Sequence, residues 1–167
     1  MEKEQFTQTE YVQLFPVSAK EGKIYKKKPN FKKLEKQRTL ILLIGLSDNK
    51  KIKRFAKKKW VRRITYSDIA NELQEEEITS WNEFHKKANT EFESRVTEAL
   101  SEGTALVERC FNSLDIRLGF LELIMEKNIT NEVILIVSKV ELRKNKALKK
   151  QFETETILKG IDKLYLL

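Results

Sequence analysis

The sequence predicts a three-layer α/β/α domain on a mainly parallel sheet of four or five strands, preceded by a basic, partly extended N-terminal arm. Three observations predict it. Continuous apolar runs, TLILLIG at 39–45 and EVILIVSKV at 132–140, suit strands buried on both faces. These runs and two shorter ones alternate with segments of helical period, which calls for crossover connections and helices on both sides of a sheet. Both prolines, Pro16 and Pro29, fall in the first 30 residues, so the rest runs with few breaks.

The arm spans 1–38. It carries Lys26, Lys27 and Lys28 before Pro29, then Lys32 and Lys33, with Tyr11, Phe15, Tyr25 and Phe31 spaced among them. Aromatics among lysines can stack bases while the lysines hold phosphates; the alternative is that the aromatics pin the arm to the core. The domain proper is 39–167. After the first core strand, KKIKRFAKKK at 50–59 reads as a basic helix with Ile52, Phe55 and Ala56 inward. WVRRITY at 60–66 is a second strand, nearer an edge because of Arg62 and Arg63. A short helix follows from Ser67, capped by Thr65 or Ser67. The long helix at 80–101 opens on a capping box, Ser80 with Glu83, and Trp81, Phe84, Ala88, Phe92, Val96, Ala99 and Leu100 recur at three and four. Gly103 ends it. TALVE at 104–108 is the third strand, and 114–128 a helix with Leu114, Leu118, Leu121 and Met125 on one face. Past the fourth strand a basic helix begins near Leu142, and IDKLYLL is a last strand or the end of that helix.

A chain of 167 residues fits one domain. Its single cysteine, Cys110, excludes an intrachain disulfide and points to a reducing compartment. One Cys and one His, His85, cannot supply a structural zinc site. No apolar run approaches the ~20 residues needed to cross a bilayer, and the polar start MEKEQFTQTE is no secretion signal. A cytoplasmic protein with no membrane association is expected. Net charge is +8, unevenly placed: residues 20–63 hold 18 Lys/Arg against 3 Asp/Glu, whereas the remainder holds 15 against 22. Such a block draws polyanions through counterion release, and the competing reading is a solvated, self-repelling face. If the block binds nucleic acid, Lys26, Lys27, Lys28, Lys32, Lys33, Lys57, Lys58, Lys59, Arg62 and Arg63 are the candidates.

Ligands of parallel sheets sit at the carboxyl ends of the strands. The loop after the first core strand, G-L-S-D-N-K-K-I from Gly45 to Ile52, can be laid on the phosphate-binding pattern G-x-x-x-x-G-K-[ST]. Gly45 and Lys51 match. Lys50 replaces the second glycine, and Ile52 replaces the hydroxyl that would hold Mg²⁺. Cys110 reads as a small buried residue with no adjacent base, His85 as structural or solvated, and Trp60 and Trp81 as core or rim.

From Thr39 to Tyr165 the chain resembles the polynucleotide kinase and zeta-toxin-like group of small P-loop kinases. The stretches that carry this are ILLIG with its loop and helix, RRITYSDIANEL, SEGTALVERCFNSLDIR, VILIVSKVELRKNK and ETETILKGIDKLY. The resemblance implies a P-loop NTPase-like fold, ATP or GTP as ligand, and phosphoryl transfer to a nucleic-acid or nucleotide hydroxyl. It places Asp68 as general base, with helix capping as the alternative role. Lys51, with Gly45, Lys50 and Lys146, would sit at the nucleotide phosphates, and Arg143 and Lys146 would neutralise the transferring group. The departures are Lys50, Ile52, Ser67 for the first acid of an Asp pair, and Glu108–Phe111 for an Asp-x-Thr-Asn segment. They argue against Mg²⁺ and against ordinary turnover. The expectation is a degenerate kinase-like domain acting as a binding or scaffold module for nucleic acid or another polyanion. An active kinase and an interaction subunit with a protein partner are the alternatives.

Overall fold

A computed structural model describes residues 24–25, 31, 38–76 and 80–167. Their strands are β1 (Ile24–Tyr25), β2 (Thr39–Ile44), β3 (Val61–Thr65), β4 (Thr104–Glu108), β5 (Glu132–Val137) and β6 (Lys163–Leu166). Their helices are α1 (Lys50–Phe55), α2 (Tyr66–Gln74), α3 (Trp81–Glu102), α4 (Leu114–Glu126), α5 (Lys139–Lys144) and α6 (Lys146–Glu153), with a 3₁₀ turn at Thr156–Leu158. The strands form one sheet in the order β1-β6-β5-β2-β4-β3, and every pairing is parallel. This is the expected α/β class, with one strand more than anticipated because Ile24–Tyr25 joins the β6 edge.

Residue alternation along β2 builds both faces. Leu40, Leu42 and Ile44 enter one apolar cluster with Phe92, Val96, Phe120 and Phe152 of the helices. Ile41 and Leu43 point the other way, into a cluster with Ile52 and Phe55 of α1 and with Val61 of β3. All six β2 residues are buried, as a central parallel strand requires. The arginine-bearing strand, β3, lies at an edge as its composition predicts. Phe31 packs on Phe55 at 4.8 Å between ring centroids, so this aromatic of the arm is held against the core.

Several elements differ from the sequence reading. The basic helix is α1 alone, and residues 57–60 form a turn into β3. The fourth strand stops at Val137, because Ser138 caps α5 by accepting from Glu141 N. The helix expected from Leu142 is two helices, separated where Asn145 caps α6 by accepting from Leu148 N. The tail is a strand. Two apolar residues assigned to helix faces are exposed, Trp81 at 71% and Met125 at 54%. The buried face of α4 instead holds Arg117, Phe120, Leu121 and Ile124. Cys110 is exposed rather than buried.

Candidate functional site

The connection leaving β2 runs to one side, toward β3, and the connection leaving adjacent β5 runs to the other, toward β6, so the two diverge at the carboxyl end of the sheet, where open α/β sheets take their ligands. A cleft of about 600 Å³ opens there, lined by Gly45, Arg63, Tyr66, Asp68, Glu108 and Arg109, with Ser67 and Cys110 beside them. Register explains the convergence: Leu43 pairs with Glu108, and Glu108 with Thr65, so the three chain segments leave the sheet side by side.

Gly45 turns the chain out of β2 at φ +70°, a conformation that favours glycine. A Cβ there would also meet the Cβ of Glu141 at 2.8 Å and that of Ser138 at 3.1 Å. The loop then closes tightly, Asn49 N donating to Leu46 O at 3.1 Å. Asn49 caps α1, its Oδ1 accepting from Lys51 N at 3.0 Å and from Ile52 N at 3.1 Å. These are backbone donors of the kind that curl around a phosphate in a P-loop, and here a side chain of the loop itself fills them. Leu46 and Ile52 anchor the loop from below, with 4% and 0% of their surface exposed. Ile52 thus belongs to the core, and no side-chain oxygen stands where a metal-holding hydroxyl would be.

Across the cleft, Arg63 donates from Nε to Glu108 Oε2 at 2.7 Å and from Nη2 to Ser47 O at 2.9 Å. It ties β3, β4 and the loop together. The Arg109 guanidinium lies over the Tyr66 ring at 4.3 Å and the Phe92 ring at 5.5 Å. Asp68 stands in the first turn of α2, its carboxylate exposed; the cap of that helix is Thr65, whose Oγ1 accepts from Asp68 N at 3.2 Å.

The structure therefore brings Gly45, Arg63 and Asp68 to one cleft and leaves the other candidates outside its lining. Lys50 and Lys51 are exposed on the first turn of α1, Arg143 is half-buried on α5, and Lys146 is exposed at the start of α6. Lys57, Lys58 and Lys59 lie at the amino end of β3, away from the cleft. Arg62 reaches Glu98 at 3.3 Å and Glu102 at 2.8 Å. Lys26, Lys27, Lys28, Lys32 and Lys33 lie outside the described residues.

Three participants were not singled out from sequence: Asn49, the Arg109–Tyr66 stack and Arg117. Asn49 stands directly before the helix it caps, a readable signal. Arg117 had none. Its side chain is fully buried on α4, donating from Nη1 to Phe111 O at 2.8 Å and from Nη2 to Thr156 O at 3.5 Å. Burial pulls its pKa down to about 10, and among the described residues no carboxylate pairs with it to offset that desolvation.

No protein-family model and no curated protein sequence matches the chain. A solved structure of the PezAT chromosomal toxin–antitoxin system of Streptococcus pneumoniae is similar at 20% identity and a TM-score of 0.49, over 99% of this chain and 79% of that one. Likeness at that level carries no argument about activity. Among the described residues no helix is long and apolar enough to cross a membrane.

Proposed function

We propose that the chain is a kinase-like domain that has lost phosphoryl transfer and binds nucleic acid or another polyanion through α1 and the turn behind it. One observation carries this reading. Lys50, Lys51, Arg54, Lys57 and Lys59 have no ion pair among the described residues, and Lys53 has only Asp48 at 3.8 Å. Arg62, Arg63, Arg95, Lys127 and Lys163 each hold a carboxylate, while exposed Lys144, Lys149 and Lys150 of α5 and α6 form a second group with no ion pair among the described residues. Unpaired cations on one exposed segment, anchored by buried Ile52 and Phe55, suit a partner that brings its own negative charge. The filled amides at Asn49 and the buried Ile52 support the second half of the reading, that ATP or GTP with Mg²⁺ has no seat at the loop.

Anisotropy of a labelled oligonucleotide tests it. Affinity should fall by about 10³-fold or more between roughly 50 and 200 mM salt, the behaviour of some six phosphate contacts. Lys57→Glu, Lys58→Glu and Lys59→Glu combined should abolish binding. No binding of single or double strands at the lower salt would sink the proposal.

The placement of exposed Asp68 in the cleft with Gly45 favours a second reading, ATP- or GTP-dependent transfer to a nucleic-acid or nucleotide hydroxyl. It requires nucleotide binding that Lys51→Ala removes and turnover that Asp68→Asn removes. A flat titration of the native chain with ATP and Mg²⁺ excludes it.

A further inference from the structure

The negative charge of the chain is as localised as the positive. Residues 66–102, the α2–α3 hairpin, hold 10 Asp/Glu against 3 Lys/Arg, a net of −7. Outside this hairpin and the basic stretch at 20–63, the remaining residues hold 12 of each sign and balance. The chain is therefore bipolar.

The hairpin also carries an unexplained apolar feature. A groove of about 430 Å³ runs between α2 and α3, lined by Tyr66, Leu73, Glu76, Trp81, Phe84 and His85. Trp81 is 71% exposed, yet it is held in place. Its ring stacks on Phe84 at 6.0 Å and 12°, and meets the His85 ring edge-on at 4.4 Å. His85 is fixed in turn, its Nδ1 lying 3.2 Å from the Tyr66 hydroxyl. Glu75 and Glu83 at the two helix ends are exposed, with no ion pair among the described residues. A rigid indole face beside free carboxylates is the environment that takes up a lysine or arginine side chain, through ring quadrupole and charge together.

We infer that this groove receives the Lys57–Lys59 turn of a second copy of the chain. The cations and the groove lie at opposite ends of one molecule. Gly103, just past the end of α3, sits so close to Trp60 that a Cβ would fall 2.4 Å from its carbonyl oxygen, so the lysine turn adjoins the far end of that helix. Trp81 starts the helix, 22 residues away, about 33 Å at 1.5 Å per residue. Neither patch can satisfy the other within one chain. Between copies the contact is heterologous, head to tail, and extends unless rotation closes it into a ring. The net charge of +8 repels at a distance, but at about 0.15 M salt the Debye length is ~8 Å, so remote charges are screened and contacting ones are not. This inference does not rest on nucleic-acid binding, though an oligonucleotide occupying the lysines would compete with it.

Sedimentation velocity of the full chain tests it. The native protein should show mass rising with concentration at about 0.15 M salt and a monomer at about 1 M, where the Debye length shrinks to ~3 Å. Trp81→Ala, a change at an exposed side chain, should be monomeric alone while still binding oligonucleotide. Lys57→Glu with Lys59→Glu should also be monomeric alone. Mixed, the two variants have one good turn and one good groove between them, and should form a dimer that grows no further. A native chain that stays monomeric at about 0.15 M overturns the inference, as does association that survives Trp81→Ala. So does capture of free oligolysine by a chain that never self-associates, which would assign the groove to a foreign basic segment.

Discussion

Replacing Arg117 tests how the domain tolerates a buried charge. Burial lowers the guanidinium from its ordinary range to about 10. At about 1.4 kcal/mol per pH unit, holding it charged at neutral pH costs on the order of 3 kcal/mol. Against this stands one well-formed charged hydrogen bond, to Phe111 O at 2.8 Å, and a longer one to Thr156 O at 3.5 Å. Charged bonds contribute roughly 1.5–3 kcal/mol each. The two sides nearly cancel. Arg117→Met keeps much of the volume and removes the charge, so it should leave stability within about 1 kcal/mol of the native chain or raise it slightly. Arg117→Ala also opens a cavity, a further cost of about 2–5 kcal/mol. The two variants should therefore differ by about 3 kcal/mol, or roughly 6–12 °C in Tm for a domain of this size. Thermal melts and urea titrations run side by side read the difference. If Met is as damaging as Ala, the guanidinium is held for its hydrogen bonds and its desolvation cost does not cancel them.

Two further outcomes follow from the loop. Gly45→Ala combines a left-handed backbone with a Cβ 2.8 Å from Glu141, and should lower stability by about 2–4 kcal/mol in urea titration. Asn49→Ala removes the acceptor from two amides and should cost about 1 kcal/mol. Calorimetry of that variant with ATP and Mg²⁺ should remain flat, since buried Ile52 still offers no ligand; a measurable nucleotide affinity would show that Asn49 alone closes the site.

Sequence made the sheet legible where one signal dominated. The β2 run could bury on both faces only as a central strand, and the arginines of β3 marked an edge. Periodicity was less reliable at helix ends. It put Trp81 on the core face of α3, but Phe84 takes the core contact of that first turn and Trp81 stays exposed, packed on the Phe84 and His85 rings. On α4 it missed Arg117, because a hydropathy pattern does not count a guanidinium as core. The same limit hid the cleft's ties: Arg63 reads as a surface cation until Glu108, 45 residues away, comes beside it. Comparison with the P-loop pattern directed attention to Lys50 and Ile52 and passed over Asn49, whose single amide group sets the loop's chemistry. The break between α5 and α6 had no glycine or proline to announce it, only Asn145 acting as cap.

The two-residue strand β1 has a consequence for how the chain meets its neighbours in a crowded solution. It pairs Ile24 with Leu164 and Tyr25 with Tyr165, covering one border of the sheet. Beneath it β6 presents buried Leu164 and Leu166 with a parallel row of amides and carbonyls. An uncovered border of that kind is a template for adding foreign strands. By covering that border Ile24 and Tyr25 leave less of it open to such pairing, and a chain shortened to begin at Arg38 would lose this cover together with the packing of Phe31 on Phe55.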